Sequence, residues 1–312
     1  VSTNTPEPTP TFETVHVKVA ILPYITDSPF FFAYEEGYFA EQGLEVEFIR
    51  FDKPVDTLPP LLAGDLDATT VMPLPGLFNA IAGGGTLKIV AEKGYFDPTT
   101  CVYSGLLVTP ETLSSGRLDD PANWAGLRIS TERGAATEYA IDLLMQQNGL
   151  TVADIEIVEM PITSRGEALT NAAIDVAGAG EPWITRFSNA GAGVVWKGFN
   201  TILPDFSFGA VAFGPTFLTE HPDVGQRFMV ALLKGVAQYN EGKTPRNLEI
   251  IAQYTQLTTA EIEQTCWQMM HADGALNVQS VLDYQTWAVG RGMVTTPITA
   301  EQLYDPTFIE YA

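Results

Sequence analysis

The stretch Ile21–Phe39, ILPYITDSPFFFAYEEGYF, decides how the chain begins to fold. Ser28 followed by Pro29 marks a helix start, because a serine hydroxyl can accept an orphan backbone N–H and proline suits the first helical position. Gly43 supplies the C-terminal cap. Successive helical residues are about 100° apart, so Phe30, Phe31 and Phe32 fan across roughly 200°, wider than the usual apolar stripe. At least one ring is therefore expected to point away from the core. Phe32 shares its direction with Phe39, which makes that pair the core-facing one. Phe30, beside Asp27 and Ser28, is expected to face a cleft and a ligand, while Phe31 is left undecided.

On either side of this helix, VHVKVAIL (15–22) and LEVEFIRF (44–51) alternate apolar and polar residues and read as strands. A helix ending near Gly64, a strand at 68–72, a helix over 75–82, the glycine run at 83–85 and the strand LKIVAE follow. That rhythm is the mark of an open, largely parallel α/β sheet. It restarts with the strand GLRIST (126–131), a helix over 135–147, the strand IEIVEM, a helix over 165–173 and short strands in DVAGAG and GVVWKG. Two units of similar plan imply two lobes. From Pro215 onward the pattern is helical, and these helices read as clamps or packing elements without chemistry.

The chain has 312 residues, 46% of them hydrophobic, enough for one large domain or two of ordinary size. Sixteen basic against 38 acidic residues leave a net charge of −22. That balance argues against nucleic acid or an anionic membrane surface, both of which need clustered Lys and Arg. No apolar run reaches the roughly 18 to 20 residues of a membrane span. The opening VSTNTPEPTPTFET (1–14) is rich in Ser, Thr and Pro and reads as a flexible tether, as in a processed, secreted or lipid-anchored protein. Cys101 and Cys266 are the two cysteines. They fit either a disulfide formed outside the cytoplasm or two buried thiols.

Catalytic patterns are missing. His16, His221 and His271 stand in no metal-ligand spacing, and there is no Gly-x-Ser-x-Gly elbow. The glycine runs at Gly83 and Gly191 fail both the dinucleotide and the phosphate-loop patterns. The expectation is a protein that is not an enzyme and holds no cofactor or metal.

In open α/β sheets, ligands bind beyond the carboxyl ends of the strands. The loops there offer Tyr24, Asp27, Ser28 and Phe30 after the first strand, Met72 and Leu74 after the third, and Tyr103 and Ser104 at the exit from the first unit. In the second unit, Arg133 and Thr137 stand at a helix start where N–H groups could hold an acceptor, and Glu181 and Trp183 lie just past another strand end.

The run LPYITDSPFFFAYEEGYFAEQGLEV (22–46) resembles the opening of the thiamin-precursor, nitrate and sulfonate group of substrate-binding proteins of ABC importers. LLAGDLDATTV resembles that group's Gly-x-Leu-Asp-Ala segment, and GLRISTERGAATEYAIDLLMQQNGL resembles its second-lobe strand and helix. The resemblance implies a two-lobed periplasmic-binding-protein type II fold with C-terminal helices. It places lobe 1 at 15–103 and 207–312 and lobe 2 at 104–206, with crossings near Tyr103 and Phe206, both counted among the cleft residues. It also implies an extracytoplasmic monomer that closes on a small molecule and delivers it to a membrane permease. Ala20 and Ile21 stand where pyrimidine binders carry Asp-Trp, and Asp27 replaces their loop histidine. The aromatic inventory then suits a flat heterocycle held by stacking, with riboflavin the best match. The alternatives are a thiamin pyrimidine precursor, a sulfonate or nitrate anion, and, in another class, a thiamin-pyrimidine synthase-like enzyme.

Overall fold

The computed structural model describes residues 13–312, so the expected tether lies outside the described residues except for Glu13 and Thr14. Two five-stranded sheets are built to one plan. The first takes β1 (Val15–Ile21), β2 (Leu44–Arg50), β3 (Ala68–Val71), β4 (Lys88–Glu92) and, from far along the chain, β10 (Ala210–Phe213). The second takes β5 (Ser104–Val108), β6 (Arg128–Thr131), β7 (Glu156–Glu159), β8 (Val176–Gly180) and β9 (Val194–Gly198).

Strand order is β2-β1-β3-β10-β4 in one sheet and β7-β6-β8-β5-β9 in the other. β1 runs parallel to β2 and β3, and β6 parallel to β7 and β8. The fourth position in each sheet is held by an antiparallel strand, β10 between β3 and β4 and β5 between β8 and β9. Each of these two strands begins just after the chain passes between the sheets. Four strands of each sheet run one way and one runs against them, so the largely parallel expectation holds, with a single antiparallel strand inserted in each. A fully apolar run such as AVAF has no alternation from which a buried strand could be read.

Within the opening stretch, Asp27 rather than Ser28 precedes the helix, and the Ser28 hydroxyl donates back to the Ile25 carbonyl. The helix Ser28–Glu35 ends before Gly37, whose φ of 78° suits glycine, and a short helix Tyr38–Glu41 follows. Phe30, Phe31 and Phe32 are all fully buried. The expectation that one ring would leave the core is overturned because two layers cover this helix. The C-terminal helix Pro222–Asn240 sets Phe228 6.1 Å from Phe30 and 4.9 Å from Phe39. On the other flank, helix Pro245–Tyr254 stacks Tyr254 on Phe31 at 4.4 Å. A helix apolar all round is a buried helix.

Cys101 and Cys266 form a disulfide, which resolves the pairing left open above and joins the segment entering the second sheet to the C-terminal region. Among the described residues, no helix is long and apolar enough to cross a membrane.

Candidate functional site

The loop after β1 turns on Asp27, which is fully buried. One carboxylate oxygen accepts from the Leu22 N–H at 2.8 Å and from the Thr70 hydroxyl at 3.2 Å, while the other pairs with the Lys93 ammonium just past β4. Three strand ends are thus tied through one carboxylate, and a buried charge is tolerated because it is both paired and hydrogen-bonded. Tyr24 and Tyr103 gather above it. Burial first, then the nearby charges of Asp27, Glu132 and Asp52, pushes the Tyr24 phenol above its ordinary value. The Tyr103 phenol is raised further by burial, Tyr24 and Glu181, although a hydrogen bond with Thr26 opposes the shift. Both phenols stay protonated donors in neutral water.

Beside this cluster lies a cavity of about 570 Å³ between the two sheets' strand-end loops. Val55, Leu58, Met72, Leu74 and Pro75 form its apolar wall on the first sheet's side. Glu132, Arg133 and Gly134, at the turn from β6 into the helix Ala136–Gln147, face them. Arg291 and Met293, from the segment after the helix Val278–Gly290, complete the lining. No aromatic ring is among these residues. The Arg133 side chain is 70% exposed and stands 3.6 Å from Glu159, while Glu132 is held at 3.2 Å by the buried Arg165.

The residues nominated from sequence therefore divide. Met72, Leu74 and Arg133 line the cavity. Tyr24, Asp27 and Tyr103 form the polar cluster at its side. Ser104 sits opposite Gly180 in the β5–β8 register, and Thr137 packs over Gly178. Glu181 is a brace: its carboxylate accepts from the Thr185 and Cys266 N–H groups, both at 3.0 Å. Trp183 packs 5.7 Å from Phe187 beneath the Arg186 guanidinium. Phe30 and Phe206 are corrected to core residues, the first against Phe228 and the second stacked on Phe96 at 6.1 Å. Among the described residues, no group of three or more His, Cys, Asp or Glu side chains could hold a metal ion.

The model of the NMT1-like family matches residues 11–255. The chain belongs to the NMT1-like family. A relative described as a binding protein of Brucella abortus is 22% identical over 233 residues, covering 74% of this chain and 68% of the relative. The alkanesulfonate-binding protein SsuA from Xanthomonas axonopodis pv. citri, solved bound to MOPS, superposes with a TM-score of 0.70 at 17% identity, covering 95% of this chain and all of that one. The desulfurization enzyme DszB shares the fold at a TM-score of 0.66 and 14% identity, covering 95% of this chain and 97% of that one. The two-lobed α/β architecture read from the opening motif is thus the architecture present, and the fold hosts both binding proteins and an enzyme.

Three side chains of this NMT1-like chain escaped the sequence reading. Lys93 lies 66 positions from Asp27, and its signal was a lone cation directly after a strand in a chain with few cations. Arg291 and Met293 sit in a tail read as packing alone, and that reading is corrected by their place in the cavity wall. The sequence GRGM, where the last long helix stops, was the available signal.

Proposed function

We propose that this NMT1-like chain is the extracytoplasmic substrate-binding protein of an ABC importer and that it captures an organic anion of the sulfonate type between its lobes. We take lobe 1 as 15–103 with 207–312 and lobe 2 as 104–206. The observation that carries the reading is the cavity of about 570 Å³, with an apolar wall from one side and arginines at its rim. Its size falls within the roughly 300–1,000 Å³ of small-molecule sites and exceeds what a bare inorganic ion such as nitrate would fill.

Riboflavin, the first expectation, has no support in this site. Phe30 is in the core and Trp183 packs against Phe187, Tyr24 and Tyr103 belong to the polar cluster beside the cavity, and the cavity lining itself is free of aromatics. Aliphatic and thioether surfaces suit a hydrocarbon body, and guanidinium donors suit a sulfonate or carboxylate head. The lining holds no Ser, Thr, Cys, His or Lys, and its one carboxylate, Glu132, is engaged by Arg165. This supports capture over catalysis despite the fold shared with an enzyme. The binding-protein relative and the sulfonate-bound structural neighbour point the same way.

Calorimetric titration with hexanesulfonate, nitrate and riboflavin tests the reading. Saturable, salt-sensitive binding of hexanesulfonate with no response to riboflavin is expected. Binding of riboflavin or nitrate with no response to the sulfonate would defeat it.

A further inference from the structure

The segment after the helix Val278–Gly290 lies beyond the residues matched by the family model, which end at 255, and it supplies two residues of the cavity lining, Arg291 and Met293. It is fastened to both sides. Toward the first sheet, the Asn79 side-chain amide donates to the Met293 carbonyl at 2.9 Å, and the Thr295 N–H returns a hydrogen bond to Asn79 Oδ1 at 3.4 Å. Toward the second, the Arg291 guanidinium and the Trp287 indole N–H both donate to the buried Asp142 carboxylate, at 2.6 and 2.7 Å. The Tyr284 hydroxyl donates to the Gly134 carbonyl on the same side. Met293 Sδ stands where it would crowd any side chain at Gly134, so the strap meets the second lobe at the cavity rim.

We propose that Arg291 is a specificity-determining residue that binds the ligand's anionic head, and that the C-terminal strap carrying it helps set this chain's selectivity. The proposal rests on the anion reading above. Arg291 Nη2 is bound to Asp142, and a guanidinium carries five N–H donors, so others remain for a ligand. Its side chain is 31% exposed and borders the cavity, and the Trp287 ring 5.8 Å away limits its rotamers. A planar donor fixed in advance loses little entropy when it meets an oxyanion. Arg133, the other rim guanidinium, is 70% exposed and stands 3.6 Å from its partner Glu159, so it is less fixed in advance than Arg291 and is the weaker anchor.

The test compares hexanesulfonate with a neutral isostere, hexyl methyl sulfone, on the wild-type chain and on Arg291→Gln and Arg291→Lys. Thermal melts confirm that each variant is folded. Arg291→Gln is expected to weaken the sulfonate roughly 10-fold to 100-fold while leaving the neutral sulfone within about twofold, and Arg291→Lys to recover part of the loss. Equal weakening of both ligands would make Arg291 a structural residue and overturn the proposal, as would no change in either. A wild-type chain that binds no sulfonate would defeat the anion reading itself, and this proposal with it.

Discussion

Phe30 has no exposed surface and its ring lies 6.1 Å from that of Phe228, so truncating it removes core packing, not ligand contact. Phe30→Ala is expected to cost about 3–5 kcal/mol in urea denaturation while affinity for ligand stays within twofold. Lost affinity at unchanged stability would restore the cleft-facing assignment. Lys93 carries a second prediction at this scale. Lys93→Met strands the fully buried Asp27 carboxylate, and breaking such a pair from one side costs about 3–5 kcal/mol. Replacing both members, Asp27→Leu with Lys93→Met, should recover only part of that loss in the same denaturation assay, because the Leu22 N–H and the Thr70 hydroxyl then lose their acceptor. Asp27 was legible because it stands in a strand-end loop. Its partner was not, because nothing local at Lys93 says which distant carboxylate it meets. Angular spread around the opening helix was also read correctly, but the number of layers covering that helix is a tertiary property that its own period does not contain.

The helix Ser28–Glu35 and the C-terminal helix Pro222–Asn240 approach so closely that a methyl at Gly235 would overlap the Pro29 carbonyl oxygen. Backbone cannot yield there as a flexible side chain could. Gly235→Ala is therefore expected to destabilise by about 1–3 kcal/mol, the range for overpacking, despite alanine's better helix propensity. A gain in melting temperature would show that the two helices can slide apart. The alternating strands β1 and β2 were plain in the sequence because their first four residues put apolar side chains toward a core and His16, Lys18, Glu45 and Glu47 toward water. β10 was not, since all four of its residues are buried, and direction within a sheet depends on how the chain arrives.

Both passages between the sheets converge on His271. Its ring stacks on Tyr95 at 3.9 Å, its Nδ1 lies 3.0 Å from the buried Glu92 carboxylate, and its Nε2 lies 4.0 Å from Asp205. The hydrogen bond to Glu92 raises the imidazole above its ordinary 6.5, with the charges of Glu92, Asp205 and Asp273 adding to it against the opposing effect of burial. A raised histidine contributes stability that is complete below about pH 6.5 and is lost as pH climbs through the folded value. Burial also raises the Glu92 carboxyl, which favours the same acidic side. The melting temperature should therefore fall as pH rises above about 6.5, and His271→Gln should flatten that slope; an equal slope in the variant would remove His271 from the account. At this scale the two-lobed plan was readable because the strand–helix rhythm restarts, and the opening motif is specific to its group. Ligand class was less so: aromatic residues were counted by their loops, whereas the cavity is defined by which side chains point into it. The most direct test is a crystal of the protein grown with 6-bromohexanesulfonate and read by bromine anomalous scattering. The account predicts one strong peak beside Met72 and Leu74, with the sulfonate at Arg291 or Arg133. A peak outside that cavity, or ordered riboflavin displacing the sulfonate from it, would contradict it.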